Sequence, residues 1–219
     1  MIQYILFDLD NTLYSARYGL EDNVHRRIRD FLAAYLGVSP EEAWRQRAER
    51  LHDYGTTLEW LNAERGFTDI EAYFALVHPE DEADALPPDP ALRAFLESLS
   101  QAKAILTNSP REHADRIIGK LGLSGIFTHI FDIRGNDLKG KPHPEAFFRA
   151  FDGMGASPGE TLFIDDTPAY VEGCRALGGQ GVLLDEYDAW PDYRYPKIRD
   201  LRELGEMLGR FSGAFIDTV

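Results

Sequence analysis

The 219-residue chain carries 23 basic and 37 acidic side chains, a formal net charge of −14, with 44% hydrophobic and 27% charged residues, the balance of a globular protein rather than a disordered one. That acidity excludes an extended nucleic-acid backbone as partner, and a single cysteine, Cys174, excludes an internal disulfide. No apolar run approaches the ~20 residues that span a bilayer, and Met1 to Asp10 has no basic leader and soon meets two acids, so neither membrane contact nor a signal peptide is expected and a cytoplasmic location is.

The length allows one large domain or a core with an insertion. A short apolar run, Gln3–Asp8, reads as a strand ending in the polar turn Asp10-Asn11-Thr12. Residues 21–77 then show helical spacing. Val24, Ile28, Phe31, Leu32, Tyr35 and Leu36 form one stripe. Ser39-Pro40-Glu41-Glu42 predicts a helix start, with Ser39 as N-cap and Glu42 completing a capping box. Residues 78–88 are acidic and proline-rich and read as a linker leaving this helical block.

The pattern changes to alternation from there. Helices are predicted over Ala91–Leu99, Glu112–Leu121, Pro144–Phe151 and Pro168–Leu177. Strands are predicted over Ala104–Thr107, His129–Asp132, Thr161–Asp165 and, last, Gly181–Leu184. Ile198, Leu201, Leu204 and Leu208 suggest a terminal helix. Short strands alternating with helices give a parallel α/β sheet with right-handed crossovers. The first strand belongs to that sheet, so the helical block is inserted after it. The expected organisation is a core of residues 1–14 and 89–219 and an inserted unit of residues 15–88.

Ligands bind beyond the carboxyl ends of such strands, near the switch point in strand order. Four successive strand ends carry chemistry. The first supplies Asp8 and Asp10, carboxylates that are costly to crowd without a cation or a shared proton. A calcium loop does not fit them, since its sixth and twelfth positions would be Leu13 and Gly19. The second supplies Thr107, Asn108 and Ser109, either an anion-binding hydroxyl and amide or an N-cap before Pro110. The next loop supplies Lys139 and Lys141, point charges for a phosphate. The last supplies Asp165 and Asp166, suited to a hard divalent cation. Together they would hold a metal ion and a phosphate side by side and leave one carboxylate free to attack.

On these residues the sequence resembles the haloacid dehalogenase-like hydrolase superfamily. Phe7-Asp8-Leu9-Asp10-Asn11-Thr12-Leu13 matches its first motif, Thr107-Asn108 its second, Lys141 its third and Asp165-Asp166 its fourth. The resemblance implies a Rossmann-like parallel sheet core with an inserted helical cap of the C1 type. It implies Asp8 as nucleophile forming an aspartyl-phosphate and Asp10 as general acid/base. It implies Thr107, Asn108 and Lys141 around the phosphate, and Mg²⁺ held by Asp8, Asp10 (through its carbonyl), Asp165 and Asp166. The surroundings Lys-Pro-x-Pro-x-x-Phe select Lys141 over Lys139. A narrower resemblance, to the pyrimidine 5′-nucleotidase-like branch, rests on Asn11-Thr12-Leu13-Tyr14, Tyr54-Gly55-Thr56-Thr57 and His113-Ala114-Asp115-Arg116; the chain departs from it at Trp60-Leu61.

The expected function is a Mg²⁺-dependent phosphomonoesterase of a small phosphorylated metabolite, with a nucleoside 5′-monophosphate as one candidate. A phosphosugar mutase on the same scaffold and an inactive binding module are the alternatives. A 2-haloacid dehalogenase fits less well, because that chemistry needs neither Asp10 nor a metal pair. Tyr54, Trp60 and Tyr73 could contact a leaving group, although their spacing suits the block's own core, and Arg17 and Tyr18 could face the site from the hinge. His113 reads either as a ligand-facing residue or as a capping, solvated histidine. Cys174 reads as a small packing residue.

Overall fold

The computed structural model describes residues 1–51 and 53–213. Six parallel strands form one sheet: β1 (Tyr4–Phe7), β2 (Ala102–Leu106), β3 (His129–Phe131), β4 (Thr161–Asp165), β5 (Gln180–Leu184) and β6 (Lys197–Ile198), in the order β3-β2-β1-β4-β5-β6. Strand order reverses at β1, which pairs with β2 on one side and β4 on the other. The switch point therefore lies at the ends of β1, β2 and β4, three adjacent strands that each carry polar residues there.

The helices are α1 (Leu20–Leu36), α2 (Pro40–Arg50), α3 (Thr57–Arg65), α4 (Ile70–Val77), α5 (Pro90–Ser98), α6 (Arg111–Leu121), α7 (Pro144–Met154), α8 (Pro168–Ala176) and α9 (Leu204–Gly213). Both faces of the sheet are covered, and alternate strand residues separate accordingly. Ile5, Phe7, Ile105 and Ile164 pack with Leu92 and Leu96 of α5, Ile117 of α6 and Leu204 of α9. Leu6, Leu106 and Phe163 pack on the other side with Phe147 and Phe151 of α7 and with Cys174, the small buried filler expected on α8. Both faces being apolar explains why the strands read as unbroken runs.

α1–α4 form the predicted helical block, with a separate apolar cluster around Ile28, Leu32, Leu58, Trp60, Leu61 and Tyr73 that Ile133 and Leu138 join from the segment after β3. Of the predicted stripe, Tyr35 is 41% exposed, because its ring stacks on Phe31 at the edge of that cluster. Ser39 caps α2 as read, its hydroxyl accepting from Glu42 N at 3.2 Å. The box is not completed, since the Glu42 carboxylate is drawn to Arg45 and Gln46 instead.

Three further readings change. The acidic stretch after α4 is no free linker. Ala83 and Leu86 are buried in the sheet's core and the Glu82 side chain is only 2% exposed. The last strand is β6, not β5, and Ile198 belongs to it: Leu183 and Leu184 align with Lys197 and Ile198. A helix cannot run back through that pairing, and a capping box from Asp200 and Glu203 starts the next turn at Leu201. Arg17 and Tyr18 bond each other and line a groove beside Arg199 and Arg202, separate from the cavity that holds Asp8 and Lys141.

Candidate active site

β1 delivers Asp8 and Asp10 into the switch-point crevice. The Asp8 backbone N–H still donates to Ile164 O of β4 at 2.8 Å, and Asn11 then turns the chain in the left-handed region, φ 53°, which asparagine tolerates. Asp165 closes β4. Lys141 enters from the loop before α7 and is 1% exposed. Its Nζ donates to Asp8 Oδ1 at 2.5 Å and to Asp165 Oδ2 at 2.6 Å. Lys139, two residues earlier, is on the surface and paired with Glu145 at 2.8 Å.

The other expected phosphate residues divide in role. Thr107 is buried, its Oγ1 accepting from Ser109 N at 3.0 Å, and lines the same cavity as Asp8, Lys141 and Asp166. Asn108, also expected on the phosphate, lines this cavity too, and its amide is engaged at both ends with the lysine loop. Oδ1 accepts from Lys141 N at 2.7 Å and Nδ2 donates to Lys141 O at 3.0 Å. Asn108 therefore holds the backbone that aims Lys141. Gly140 makes this possible, because an added Cβ would lie 2.6 Å from Asn108 Oδ1. The helical block reaches the same loop: a Cβ on Gly55 would come within 3.0 Å of the Gly140 carbonyl.

The cap reading of Ser109 does not hold: Pro110 occupies the cap position of α6 without a side-chain bond, and the Ser109 hydroxyl donates to Asp10 Oδ2 at 3.0 Å. Asp10 Oδ1 accepts from Tyr14 Oη at 2.6 Å and lies 2.7 Å from His113 Nε2. The His113 side chain is 1% exposed and its Nδ1 lies 2.8 Å from Glu82 Oε1, so the solvated-histidine reading fails. His78 and Arg116 complete the cluster around Glu82 at 3.0 and 2.6 Å. A carboxylate–imidazole–carboxylate chain thus runs from the strand end to the segment that returns from the helical block. Sequence reading missed Tyr14 and Glu82. Tyr14 stands four residues after Asp10, a spacing that invites a local contact.

Burial pushes the Asp10 carboxyl up, yet the His113 imidazolium beside it overrides this and holds it well below the ordinary carboxylate range. Burial likewise opposes the charge on His113, but Asp10 and Glu82 win and raise it to about 10. The charged cluster's contribution to stability follows from these directions. The part due to His113 is complete below its ordinary 6.5 and is lost as pH rises through about 10. The part due to Asp10 and Glu82 is present above their ordinary 3.8 and 4.5 and is lost as pH falls below them. His113→Asn is expected to lower stability by ~3–5 kcal/mol at neutral pH, since it strands two carboxylates. Its melting temperature should also cease to decline between pH 7 and 10 as the parent's does; parallel melting curves across that range check it.

The remaining carboxylates crowd one another. Asp8 and Asp165 are pushed up chiefly by burial against the opposing pull of Lys141. Asp166 and Glu21 rise to about 7, by burial first and then by the carboxylates beside them. Carboxylate oxygens of Asp8, Asp165 and Asp166 lie within 4.8 Å of one another. Hard oxygen donors at this density, with more negative charge than Lys141 offsets, fit a divalent cation such as Mg²⁺. In the second trio within that distance, His78, Glu82 and His113, the Glu82 carboxylate is already engaged by Arg116 and by both imidazoles.

The family described as haloacid dehalogenase-like hydrolase matches residues 2–178. Among curated relatives, Phosphate metabolism protein 8 of Saccharomyces cerevisiae is 28% identical over 86% of this chain, which spans only 62% of the yeast protein's length. A phosphoglycolate phosphatase of Mannheimia succiniciproducens is 24% identical over 90% of this chain and 96% of its own. The GMP/IMP nucleotidase YrfG of Escherichia coli is 24% identical over 93% and 94%. The crystal structure of a phosphatase from Thermococcus onnurineus superposes with a TM-score of 0.64 at 21% identity, covering 95% of this chain and 98% of that one. At that identity the superposition speaks for the fold alone.

Proposed function

The chain belongs to the haloacid dehalogenase-like hydrolase family, and from that premise we propose that it is a Mg²⁺-dependent phosphomonoesterase of a small phosphorylated metabolite, working through an aspartyl-phosphate on Asp8. We further take residues 15–88 as the cap that closes over a core of residues 1–14 and 89–219. The observation that carries the reading is the Lys141 ammonium seated between Asp8 and Asp165, with Thr107 and Asp166 lining the same cavity. Relatives named as phosphoglycolate phosphatase and GMP/IMP nucleotidase support it.

Lys141 offsets the repulsion between the Asp8 carboxylate and an anionic ester, which is the main obstacle to this nucleophile. Asp8 attacks phosphorus, the bond from phosphorus to the alcohol oxygen breaks, and that oxygen receives a proton from Asp10. The proton is held on the Asp10–His113 pair, whose facing atoms are 2.7 Å apart. Water then attacks the phosphorus of the acyl phosphate, Asp10 accepts its proton, and the Asp8 carboxylate is released together with phosphate. Thr107 offers its hydroxyl to the phosphoryl oxygens. When bound by Asp8, Asp165, Asp166 and the Asp10 carbonyl, Mg²⁺ supplies positive charge that screens ester from carboxylates.

Charge on the chain makes a specific demand of that ion. Residues 15–88 hold 15 acidic and 8 basic side chains, and the remainder 22 and 15, so an anionic ester enters between two negative bodies and its attraction must be local. Chelation of divalent cations is therefore expected to weaken ester binding at least ~10-fold as well as to stop turnover. Calorimetry with a non-hydrolysed phosphonate checks the first part, and equal affinity with and without Mg²⁺ would contradict it. The assignment itself is tested with a panel of nucleotides, sugar phosphates, phosphoglycolate and an aryl phosphate. Phosphate release from at least one is expected, and no release from any would overturn it. Isomerisation of a hexose 1-phosphate without phosphate release would point to the mutase.

A further inference from the structure

α2 presents three arginines. Arg45 is paired with Glu42 and Glu49, and Arg50 with Glu49 and Glu64. Arg47 lies one turn beyond the buried Ala43, on the inward side of the helix. Among the described residues it has no carboxylate partner. Its Nε donates to Thr57 Oγ1 at 2.8 Å, and its guanidinium lies 4.4 Å from the Trp44 ring centroid. These contacts fix the plane of the group and leave both terminal amino groups without a protein acceptor among the described residues. Burial pushes Arg47 down from its ordinary value, and Glu21 opposes this only weakly from beyond ion-pair distance.

Arg47 lines the same cavity as Asp8, Thr107 and Lys141. The cavity they share is lined by apolar Val24, Ile28, Leu58, Phe74, Val77 and Ile133 and by the Tyr73 and Tyr170 rings. The polar groups facing Arg47 are the Tyr73 phenol, which shares the Thr57 hydroxyl, the Tyr170 phenol, Glu21, and His25, which stands 3.8 Å from Glu21. A cation drawn out of water with no anion is a net cost to the fold. Stacking on Trp44 and one bond to Thr57 offset part of that cost but engage only one face and one edge of the guanidinium. Two free amino groups in one plane suit the oxygens of a carboxylate or phosphate held side-on.

We propose that Arg47 anchors a second oxyanion on the alcohol part of the substrate, so that the enzyme selects small phosphate esters bearing two anionic groups joined by a short, largely apolar body. This rests on the phosphomonoesterase reading and narrows it. The phosphoryl group lies at Lys141 and Thr107, the second anion reaches Arg47, and the carbon skeleton crosses the apolar wall. Esters of neutral polyols and nucleosides leave Arg47 unpaired and set hydroxyls against hydrocarbon, and both lower their specificity.

The test compares binding of phosphonopropionate, its primary amide and propylene diphosphonate by calorimetry in the presence of Mg²⁺. The compounds share the phosphonate and differ in the second group, and none can be hydrolysed. The wild-type protein is expected to bind one or both of the compounds with two anionic groups about 10–100-fold more tightly than the amide. Preference for the carboxylate or for the diphosphonate then identifies the second anion. Arg47→Met should bring the ratio close to one, and Arg47→Lys should leave it intermediate. Equal wild-type affinity for all three, or discrimination that survives Arg47→Met, would overturn the proposal. Should Arg47→Met not fold, the wild-type ratio and its reduction in Arg47→Lys decide the matter. Aryl phosphate turnover is followed in the same preparation. Its absence alongside Arg47-dependent binding would count against the phosphatase reading while leaving the anion site standing.

Discussion

Asp8→Asn is expected to abolish phosphate-ester turnover, by ~10⁴-fold or more, while leaving the fold intact. An amide cannot form the acyl phosphate, and no other carboxylate takes the same place. Asp165 is committed to Lys141 and to Thr167 N, and Asp10 to Tyr14, Ser109 and His113. The fold should survive because the Asp8 charge is not what stabilises it: burial pushes its carboxyl up even against the pull of Lys141. A group whose folded-state value is raised resists ionisation there, so a neutral isostere relieves a cost at neutral pH. Lys141 keeps Asp165 as partner. Circular dichroism and melting should show a melting temperature equal to or above the parent's, next to a kinetic trace at background. Retained turnover would remove Asp8 from its role.

Lys141→Met should be equally inactive but, unlike the Asp8 variant, unstable. Its ammonium is the buried counter-charge of Asp8 and Asp165. Removing it leaves two buried carboxylates facing each other, a change worth ~3–5 kcal/mol. Activity should fall by ~10³-fold or more, because the repulsion between nucleophile and ester is then unscreened from that side. Added Mg²⁺ should recover part of the lost melting temperature without restoring the rate. Denaturant unfolding with and without the ion, run beside a steady-state assay, checks both halves. A stable Lys141→Met protein would mean that the lysine is not the counter-ion the geometry makes it.

Carboxylate pairs standing directly after apolar strands made the floor of this site legible in the sequence. Strand ends at a switch point converge whatever the intervening chain does, so Asp8, Asp10, Thr107 and Asp165 could be placed in one crevice from their order, while Lys141 was singled out from Lys139 by the family motif around it. The residues that tune them could not. His113 is 103 positions from Asp10, and in the first turn of a helix it read either as a capping, solvated histidine or as a ligand-facing one. Glu82 sat within an acidic, proline-rich run that had every mark of solvent exposure. Burial of one acid among Glu80, Asp81, Glu82 and Asp84 is a property of the packed chain, not of local composition. Arg47 was hidden in the same way, among arginines whose neighbours pair and whose own partner is missing. The end of the sheet was closer to hand. Asp200 and Glu203 are a capping-box spacing, and reading them would have started the final helical turn after Ile198 and freed that residue for β6.

A phosphoryl group covalently attached to Asp8 is the most direct mark of the proposed mechanism. Enzyme mixed with a turned-over phosphate ester and Mg²⁺, quenched in acid within one turnover and reduced with borohydride, should yield a modified peptide at position 8 and nowhere else. The modification should be absent from Asp8→Asn and from protein treated with chelator. Steady release of phosphate from an enzyme that never carries the modification would contradict the account.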